Sequence, residues 1–143
     1  MSATADSAER QSHLAARLGL QPGQVVQEIG YDDDCDDPLR SAISEHTGNP
    51  LVGEDFDDVV DVVLLWWRED DGDLIDSLVD GLTALSSGGV IWLLTPKGGR
   101  AGHVEPSDIA EAAPTAGLSA TTSVSAARHW SGTRLVAPKS HRR

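Results

Sequence analysis

Two continuous apolar runs dominate the hydropathy pattern of the chain. One covers residues 62–67, at the end of the segment 56–67, and the other covers residues 90–94. Both have the length of a strand and are apolar at nearly every position, which is typical of central parallel strands covered by helices on both faces. A shorter segment at residues 25–30 predicts a further strand, because it follows a turn at residues 21–23.

A leucine repeat predicts a helix between the two apolar runs. The leucines recur at steps of four, four and three residues, at Leu74, Leu78, Leu82 and Leu85. This spacing places them on one face of a helix over residues 73–85. The small residues 87–89 then predict a turn before the strand at 90–94.

Capping residues mark two more helices. Asp37 as the N-cap and Pro38 at the first helical position predict a helix that ends near residues 47–50. Residues 105–109 open a helix that ends before Gly117. Each of these helices lies between two predicted strands.

The end of the chain predicts a hairpin. Residues 121–127 and 133–136 have strand character and flank a turn at residues 129–132. The full order is therefore β-α-β-α-β-α-β-β, which predicts an α/β fold with three layers and a Rossmann-like sheet. We expect about five strands, mostly parallel, with a C-terminal antiparallel hairpin.

The length of the chain fits one domain. Of its 143 residues, we expect 1–12 to form a disordered tail, 13–138 a single α/β domain and 139–143 a basic tail. The one cysteine, Cys35, excludes an internal disulfide and suits a reducing compartment. Since the sequence shows no signal peptide and no apolar run of membrane-spanning length, we predict a cytoplasmic protein.

The formal net charge of −12 is unevenly distributed. Residues 1–94 hold 20 acidic and 4 basic side chains, whereas residues 95–143 hold 3 acidic and 7 basic ones. The negative field opposes binding to anionic membranes and to nucleic acid. We therefore expect the partner to be a protein or a small polar ligand, with no membrane association and no direct binding of nucleic acid.

The order of elements resembles the class I S-adenosylmethionine-dependent methyltransferase fold. Three segments carry the resemblance: residues 56–60 are similar to its fourth strand, residues 85–94 to a helix, Gly-Gly turn and fifth strand, and residues 109–118 to its last helix. The resemblance implies that the first strand lies at one edge. The strand at 56–67 would follow, then the strand at 90–94 and the hairpin, with the last strand inserted antiparallel.

The chain as a whole also resembles a family of short, uncharacterised actinobacterial proteins, DUF3052. Residues 58–68, 89–97 and 103–113 carry this closer similarity. The resemblance implies no activity.

Two departures from the methyltransferase pattern concern its cofactor. That pattern places acid-x-Gly-x-Gly-x-Gly after the first strand, where the backbone approaches the methionine part of S-adenosylmethionine. Glu28 and Gly30 fit the first two places, but Asp32 and Asp34 stand where glycines belong. A side chain there blocks close approach and adds negative charge.

The second departure is length. Only residues 31–57 separate the first strand from the fourth-like strand, where the full fold has two more strands with their helices. One lost strand normally carries the acid that holds the ribose, and Leu51 and Val52 are its expected vestige. We therefore predict no tight binding of S-adenosylmethionine and expect no cofactor.

The candidate binding residues lie on two loops and at one strand end. They are Gly30, Asp32, Asp34, Trp67, Lys97 and Arg100. The loops, at residues 31–37 and 95–102, both follow parallel strands, so they should meet at the carboxyl end of the sheet, where open α/β folds bind ligands. Their opposite charges suit a polar or zwitterionic group, or hold the two loops together. Alternatively, the acids only cap the helix and keep the protein soluble.

Other chemistries match less well. An EF-hand starting at Asp32 would need glycine and glutamate where Asp37 and Ile43 stand, although a looser divalent-ion site remains open. Thr95 and Lys97 are similar to residues of phosphate-accepting receiver domains, but the acceptor aspartate is missing at Trp67. We identify no catalytic residue and no metal-ligand set.

These observations leave three functional hypotheses. The first is a non-enzymatic binding or regulatory protein on a shortened methyltransferase-like scaffold. The alternatives are a divergent S-adenosylmethionine-dependent methyltransferase and an acidic metal- or phosphate-linked signalling module. Whether the protein is an enzyme stays open at this point, with the missing glycines weighing against it.

Overall fold

The computed structural model describes residue 16 and residues 18–138. The expected tails at residues 1–12 and 139–143 lie outside the described residues. The described residues form five strands and three helices in the order β-α-β-α-β-α-β-β. In chain order the elements are β1 (Val26–Ile29), α1 (Asp37–Thr47), β2 (Val60–Trp66), α2 (Leu74–Gly81), β3 (Leu85–Pro96), α3 (Pro106–Thr115), β4 (Ser119–Ser125) and β5 (Trp130–Val136).

The five strands form one mixed sheet in the spatial order β1-β2-β3-β5-β4. Strand β1 pairs parallel with β2, and β2 parallel with β3. Strand β5 lies between β3 and β4 and is antiparallel to both. The predicted fold class, the edge position of the first strand and the inserted antiparallel last strand are all confirmed.

Two apolar clusters sandwich the sheet. On one face, alternate strand residues such as Val63, Leu65 and Leu93 pack with α2 and α3. On the other face, Leu64 and Trp66 pack with α1 and with the segment around Leu18. The sheet is thus covered on both faces, as the continuous apolar runs predict.

Adjacent tryptophans at the end of β2 point to opposite faces. Trp66 belongs to the cluster beside α1, and Trp67 belongs to the cluster beside α2 and α3. Both are buried, with 1% and 6% of their surface exposed. The predicted alternation of these two side chains is confirmed.

Helix α2 is shorter than the leucine repeat predicts. It ends at Gly81, which packs so closely on Ile91 and Val63 that an added Cβ would lie 3.2 Å from Ile91 Cδ1. Leu85 instead starts β3, where it pairs with Val60. Tertiary packing and strand pairing therefore override the helical period.

The predicted turn at residues 87–89 is wrong. These residues lie inside β3, in an irregular stretch where the register shifts between Val60 and Val62 on the partner strand. Gly88 has a φ of +76° there, a conformation that favours glycine. The two glycines thus form a bulge within the strand instead of a turn before it.

Two smaller boundaries also differ from expectation. The N-cap of α1 is Asp36, whose side chain accepts a 2.9 Å hydrogen bond from the backbone N–H of Leu39, so that Asp37 and Pro38 already lie in the helix. In the hairpin, β5 begins at Trp130, because its first residues pair with the end of β3. The connection is therefore residues 126–129, which overlaps the predicted turn only at residue 129.

Candidate functional site

The carboxyl ends of β1, β2 and β3 meet at one edge of the sheet, because these three strands are parallel. The following loops, at residues 31–36, 67–73 and 97–105, therefore share this edge. Strand β5 is antiparallel, so it begins at the same edge with Trp130. We call the space between the ends of β1 and β2 the β1–β2 crevice; it lies between Gly30 and Trp66.

Arg68, directly after β2, fills the β1–β2 crevice with its guanidinium group. Its Nη2 and Nε donate to the two carboxylate oxygens of Asp34 at 2.5 and 3.0 Å. Its Nη1 donates to the carbonyl oxygen of Gly30 at 2.9 Å and to that of Trp66 at 3.3 Å. A further bond of 3.2 Å reaches Asp71. Only 12% of the Arg68 side chain is exposed, so the cation is largely enclosed.

The Asp34–Arg68 pair is held in its ionised form. The hydrogen bond from Arg68 lowers the pKa of the Asp34 carboxyl, and Arg100 contributes a smaller attraction in the same direction. The hydrogen bond to Asp34 in turn raises the pKa of Arg68. The two loops that follow β1 and β2 are therefore joined by a fork-shaped ion pair.

Trp130 closes this cluster from the hairpin. Its Nε1 donates to the backbone oxygen of Asp34 at 3.1 Å, and its ring centroid lies 5.3 Å from the guanidinium carbon of Arg68. The ring also meets Trp66 edge to face, with centroids 4.9 Å apart. The start of β5 thus fixes the acidic loop and covers the cation.

Glu28, which fits the acid of the methyltransferase pattern, forms an internal ion pair with Arg40. Arg40 of α1 donates to its two carboxylate oxygens at 2.6 and 2.8 Å. Trp66 Nε1 donates to the same carboxylate at 2.8 Å. Since only 8% of the Glu28 side chain is exposed, the carboxylate is enclosed and has three donors.

Gly30 is required by the backbone geometry of the crevice. Its φ of +82° lies in the region that favours glycine, and an added Cβ would collide with the carbonyl oxygen of Trp66. Its N–H donates to Glu54 Oε2 at 3.1 Å. The residue that fits the first glycine of the cofactor pattern therefore allows β1 and β2 to approach each other.

The six candidate residues do not form one group. Gly30 and Asp34 meet at Arg68, whereas Asp32 is exposed and accepts a 2.7 Å bond from the N–H of Asp33. The structure places Trp67, Lys97 and Arg100 apart from this centre. Trp67 Nε1 donates to Ser77 on the opposite face of the sheet, Lys97 Nζ donates to Ser125 on β4, and Arg100 acts on Asp34 only through its charge.

Sequence reasoning missed the two residues at the centre of the cluster. Arg68 is one of only four basic residues in the first 94 and directly follows an apolar strand, which was a usable signal. Trp130 gave no such signal, because its partner Asp34 lies 96 residues away in sequence.

Cys35 is not activated by its neighbours. Burial raises the pKa of its thiol to about 11, although Arg68 Nη2 lies 3.4 Å from its sulfur. A thiol with so high a pKa is a poor nucleophile at neutral pH. Within the described part of the chain, no group of three or more His, Cys, Asp or Glu side chains could hold a metal ion. No helix among the same residues is long and apolar enough to cross a membrane.

Comparison with known families decides the assignment of the chain. The family described as "Protein of unknown function (DUF3052)" matches residues 15–139. The chain belongs to this family. An uncharacterized protein of Mycobacterium tuberculosis strain H37Rv, Rv2239c, is 54% identical over 137 residues, which cover 96% of this chain and 86% of that protein.

Solved structures similar to this DUF3052 chain include methyltransferases. A SAM dependent methyltransferase from Aquifex aeolicus superposes with a TM-score of 0.57 at 10% identity, over 88% of each chain. The pyocyanin biosynthetic protein PhzM superposes with a TM-score of 0.63 at 13% identity, over 89% of this chain and 54% of that one. At such low identity the similarity shows the fold alone.

The crevice of this DUF3052 chain does not fit the methionine part of S-adenosylmethionine. That part carries an ammonium and a carboxylate. An ammonium between the ends of β1 and β2 would compete with Arg68 for the carbonyl oxygens of Gly30 and Trp66. A carboxylate would face Asp34, whose negative charge repels it.

The outer edge of β1 carries a short contact. Val52, for which the sequence predicts the vestige of a lost strand, forms a single parallel bridge with Gln27 there. Glu54 lies two residues further on, with its carboxylate on the N–H of Gly30. An acidic side chain therefore follows this short segment and contacts the end of β1.

Proposed function

We propose that this DUF3052 protein is a non-enzymatic binding or regulatory protein on a shortened methyltransferase-like scaffold. The observation that carries the proposal is the position of Arg68. Its guanidinium lies where the carboxyl ends of β1 and β2 would receive a ligand, and it is bonded to Asp34, Gly30 and Trp66. A fold alone does not fix a function. For the choice between a binding protein and a methyltransferase, we therefore give more weight to the arginine in the crevice than to the similarity of the fold.

A second feature supports the same proposal. The enclosed carboxylate of Glu28 already has Arg40 and Trp66 as donors, and it joins β1, α1 and β2. An acid in that arrangement stabilises the scaffold and is not free to bind a cofactor. Both residues that match the cofactor pattern, Glu28 and Gly30, thus have structural partners.

The partner surface in this proposal is the edge formed by residues 31–37 and 95–102. The first loop is acidic and exposed at Asp32, and the second carries Lys97 and Arg100. Two double variants test it: Asp32→Asn with Asp34→Asn, and Lys97→Ala with Arg100→Ala. The measurement is capture of partners from the native cell by the tagged full chain. If both folded variants retain every partner of the wild type, this surface is not the binding face.

Glu54 favours one alternative, a divergent S-adenosylmethionine-dependent methyltransferase. Its carboxylate follows the vestigial strand at Val52. A cofactor could then be admitted only if Arg68 left the crevice. Calorimetric titration of the wild type with S-adenosylmethionine separates the two functions, because the leading proposal expects no binding in the micromolar range.

Matched variants make that titration decisive. Arg68→Ala removes the cation from the crevice. The comparison variant, Arg134→Ala, removes a cation from the middle of β5, at the residue whose backbone lies opposite Trp92 of β3. Micromolar affinity in the wild type would replace the leading proposal with the methyltransferase. Affinity gained only in Arg68→Ala would support a scaffold whose crevice is closed by its own side chain.

A further inference from the structure

A pocket lies between α3 and the hairpin, on the face of the sheet that α2 and α3 cover. It has a volume of about 280 Å³ and opens beside the first turn of α3, at Pro106 and Ile109. Hydroxyl side chains line it in two rows across β3, β5 and β4. One row is Thr95, Ser131 and Ser125, and the next contains Thr133 and Ser123. We call this the hydroxyl pocket.

The rows follow from strand register. Thr95 pairs with Ser131, which pairs in turn with Ser125, and Thr133 pairs with Ser123. Directly paired residues present their side chains on the same face of a sheet. The pairing therefore gathers five hydroxyls from three strands on one small surface.

Two of the threonines are largely buried as residues, while their hydroxyl oxygens, which have no hydrogen-bond partner among the described residues, stay accessible from the pocket. Only 2% of Thr95 and 8% of Thr133 is exposed, and both residues line the pocket. Within the described part of the chain, neither side chain makes a hydrogen bond; the buried hydroxyl of Thr47, in contrast, donates to Ile43. A hydroxyl that has no protein partner and faces a pocket can donate to and accept from a ligand. Valine would fill the same space without offering these bonds.

Lys97 places a cation at the rim of the pocket. Lys97 Nζ donates to Ser125 Oγ at 2.6 Å, so its charge lies at the end of the Thr95 row. His103 also lines the pocket, and its Nδ1 donates to the carbonyl oxygen of Pro96 at 2.9 Å. The carboxylate of Glu105 lies 3.4 Å from His103 Nε2. Its negative charge would repel a ligand that carries more than one negative charge.

We infer that the hydroxyl pocket binds a small, singly charged carboxylate that also carries hydroxyl groups. Lys97 would pair with the carboxylate, and Thr95 and Thr133 would bond the hydroxyls. The volume of about 280 Å³ is near the lower limit of small-molecule pockets, so the ligand has the size of a small metabolite. A doubly charged phosphate is disfavoured, because the carboxylate of Glu105 beside His103 would repel it and the forked arginine contacts that favour phosphate are lacking among the lining residues. The inference gives a ligand class to the binding protein proposed above and rests on that proposal.

Glycerate, glycerol and inorganic phosphate are the probes for this inference. Each is titrated into the full chain while backbone amide resonances are followed by NMR. Glycerate is expected to shift the amides of Ser123, Ser131 and Thr133 in a saturable way. Glycerol, which lacks the carboxylate, and phosphate, which lacks the hydroxyls, should bind more weakly. If the pocket amides do not move with glycerate, or if phosphate binds as tightly, the inference is overturned.

Variants of the pocket give the second readout. Thr95→Val, Thr133→Val and Lys97→Gln are each expected to weaken glycerate binding about tenfold or more, the loss of one polar contact. Thr122→Val, exposed on β4 and outside the pocket, is the matched control. The two pocket threonine variants should leave the midpoint of thermal unfolding nearly unchanged, because neither hydroxyl has a hydrogen-bond partner among the described residues. Unchanged glycerate affinity in the folded variants would overturn the inference, whatever the outcome with S-adenosylmethionine.

Discussion

Arg68 and Asp34 join the loops after β2 and β1 through two hydrogen bonds between one guanidinium and one carboxylate. The residues are 34 positions apart in sequence, and the pair closes the edge of the sheet where α/β proteins usually bind ligands. The same guanidinium bonds the carbonyl oxygen of Gly30. One guanidinium therefore connects the end of β1, the end of β2 and the acidic loop.

Removal of Arg68 should destabilise the fold. Arg68→Ala leaves the carbonyl oxygen of Gly30 and the carboxylate of Asp34 without their donor, and we expect a loss of about 2 kcal/mol in the free energy of unfolding. Arg68→Lys should recover only part, because an ammonium cannot form the fork. Urea denaturation measures both. The control is Arg128→Ala, at an exposed arginine that makes no hydrogen bond or ion pair within the described residues, with an expected change within about 0.5 kcal/mol. Full recovery in Arg68→Lys would contradict the bidentate arrangement.

The ion pair between Glu28 and Arg40 predicts a larger effect. Arg40→Ala leaves an enclosed carboxylate with Trp66 as its remaining side-chain donor, so we expect a loss of about 3 kcal/mol in the free energy of unfolding. The double variant Glu28→Gln with Arg40→Ala should lose less than the sum of the two single variants, because the unpaired charge is gone. Additive losses in a double-mutant cycle would show that the two side chains are not coupled.

The fold was largely readable from the sequence. The apolar runs at residues 62–67 and 90–94 predicted the central parallel strands, and the resemblance to methyltransferases gave the order across the sheet. The length of α2 could not be predicted from the sequence. Gly81 ends the helix against the side chain of Ile91 on β3, and Leu85 pairs with Val60 of β2. Local periodicity carries no information about such contacts.

The site was less predictable than the fold. The acidic loop and its position at the carboxyl edge followed from composition and topology. Its cation did not, since Arg68 meets Asp34 only after β1 and β2 pair. The hydroxyl pocket was also hidden, because register alone brings Thr95 and Ser131 together from strands far apart in sequence.

Two glycines with similar backbone angles should respond differently to alanine. Gly23 has a φ of +89° with open space around it, so Gly23→Ala should cost only the left-handed strain, about 1 kcal/mol. Gly30 has a φ of +82°, and its added Cβ would also collide with the carbonyl oxygen of Trp66. Gly30→Ala should therefore lower the free energy of unfolding clearly more than Gly23→Ala. Equal losses in the same denaturation experiment would mean that β1 and β2 are not so close.

Stability should depend on pH through Asp34. The hydrogen bond from Arg68 lowers the pKa of this carboxyl in the folded chain, whereas the pKa of an aspartate in an unfolded chain is about 3.9. Ionised Asp34 therefore contributes its full stabilisation above about pH 4, and the contribution is lost as the pH falls through the folded pKa. The difference in unfolding free energy between the wild type and Asp34→Asn should be largest at neutral pH and shrink in acid.

The matched control for this pH series is Asp70→Asn. Asp70 is exposed and makes no hydrogen bond or ion pair through its side chain within the described residues. Its variant should follow the wild type at every pH in urea denaturation. Because about half of the Asp34 side chain is exposed, solvent screens its ion pair, and the effect at neutral pH should be modest. A difference between wild type and Asp34→Asn that grows as the pH falls would reverse the sign and show that Arg68 does not stabilise the ionised carboxylate.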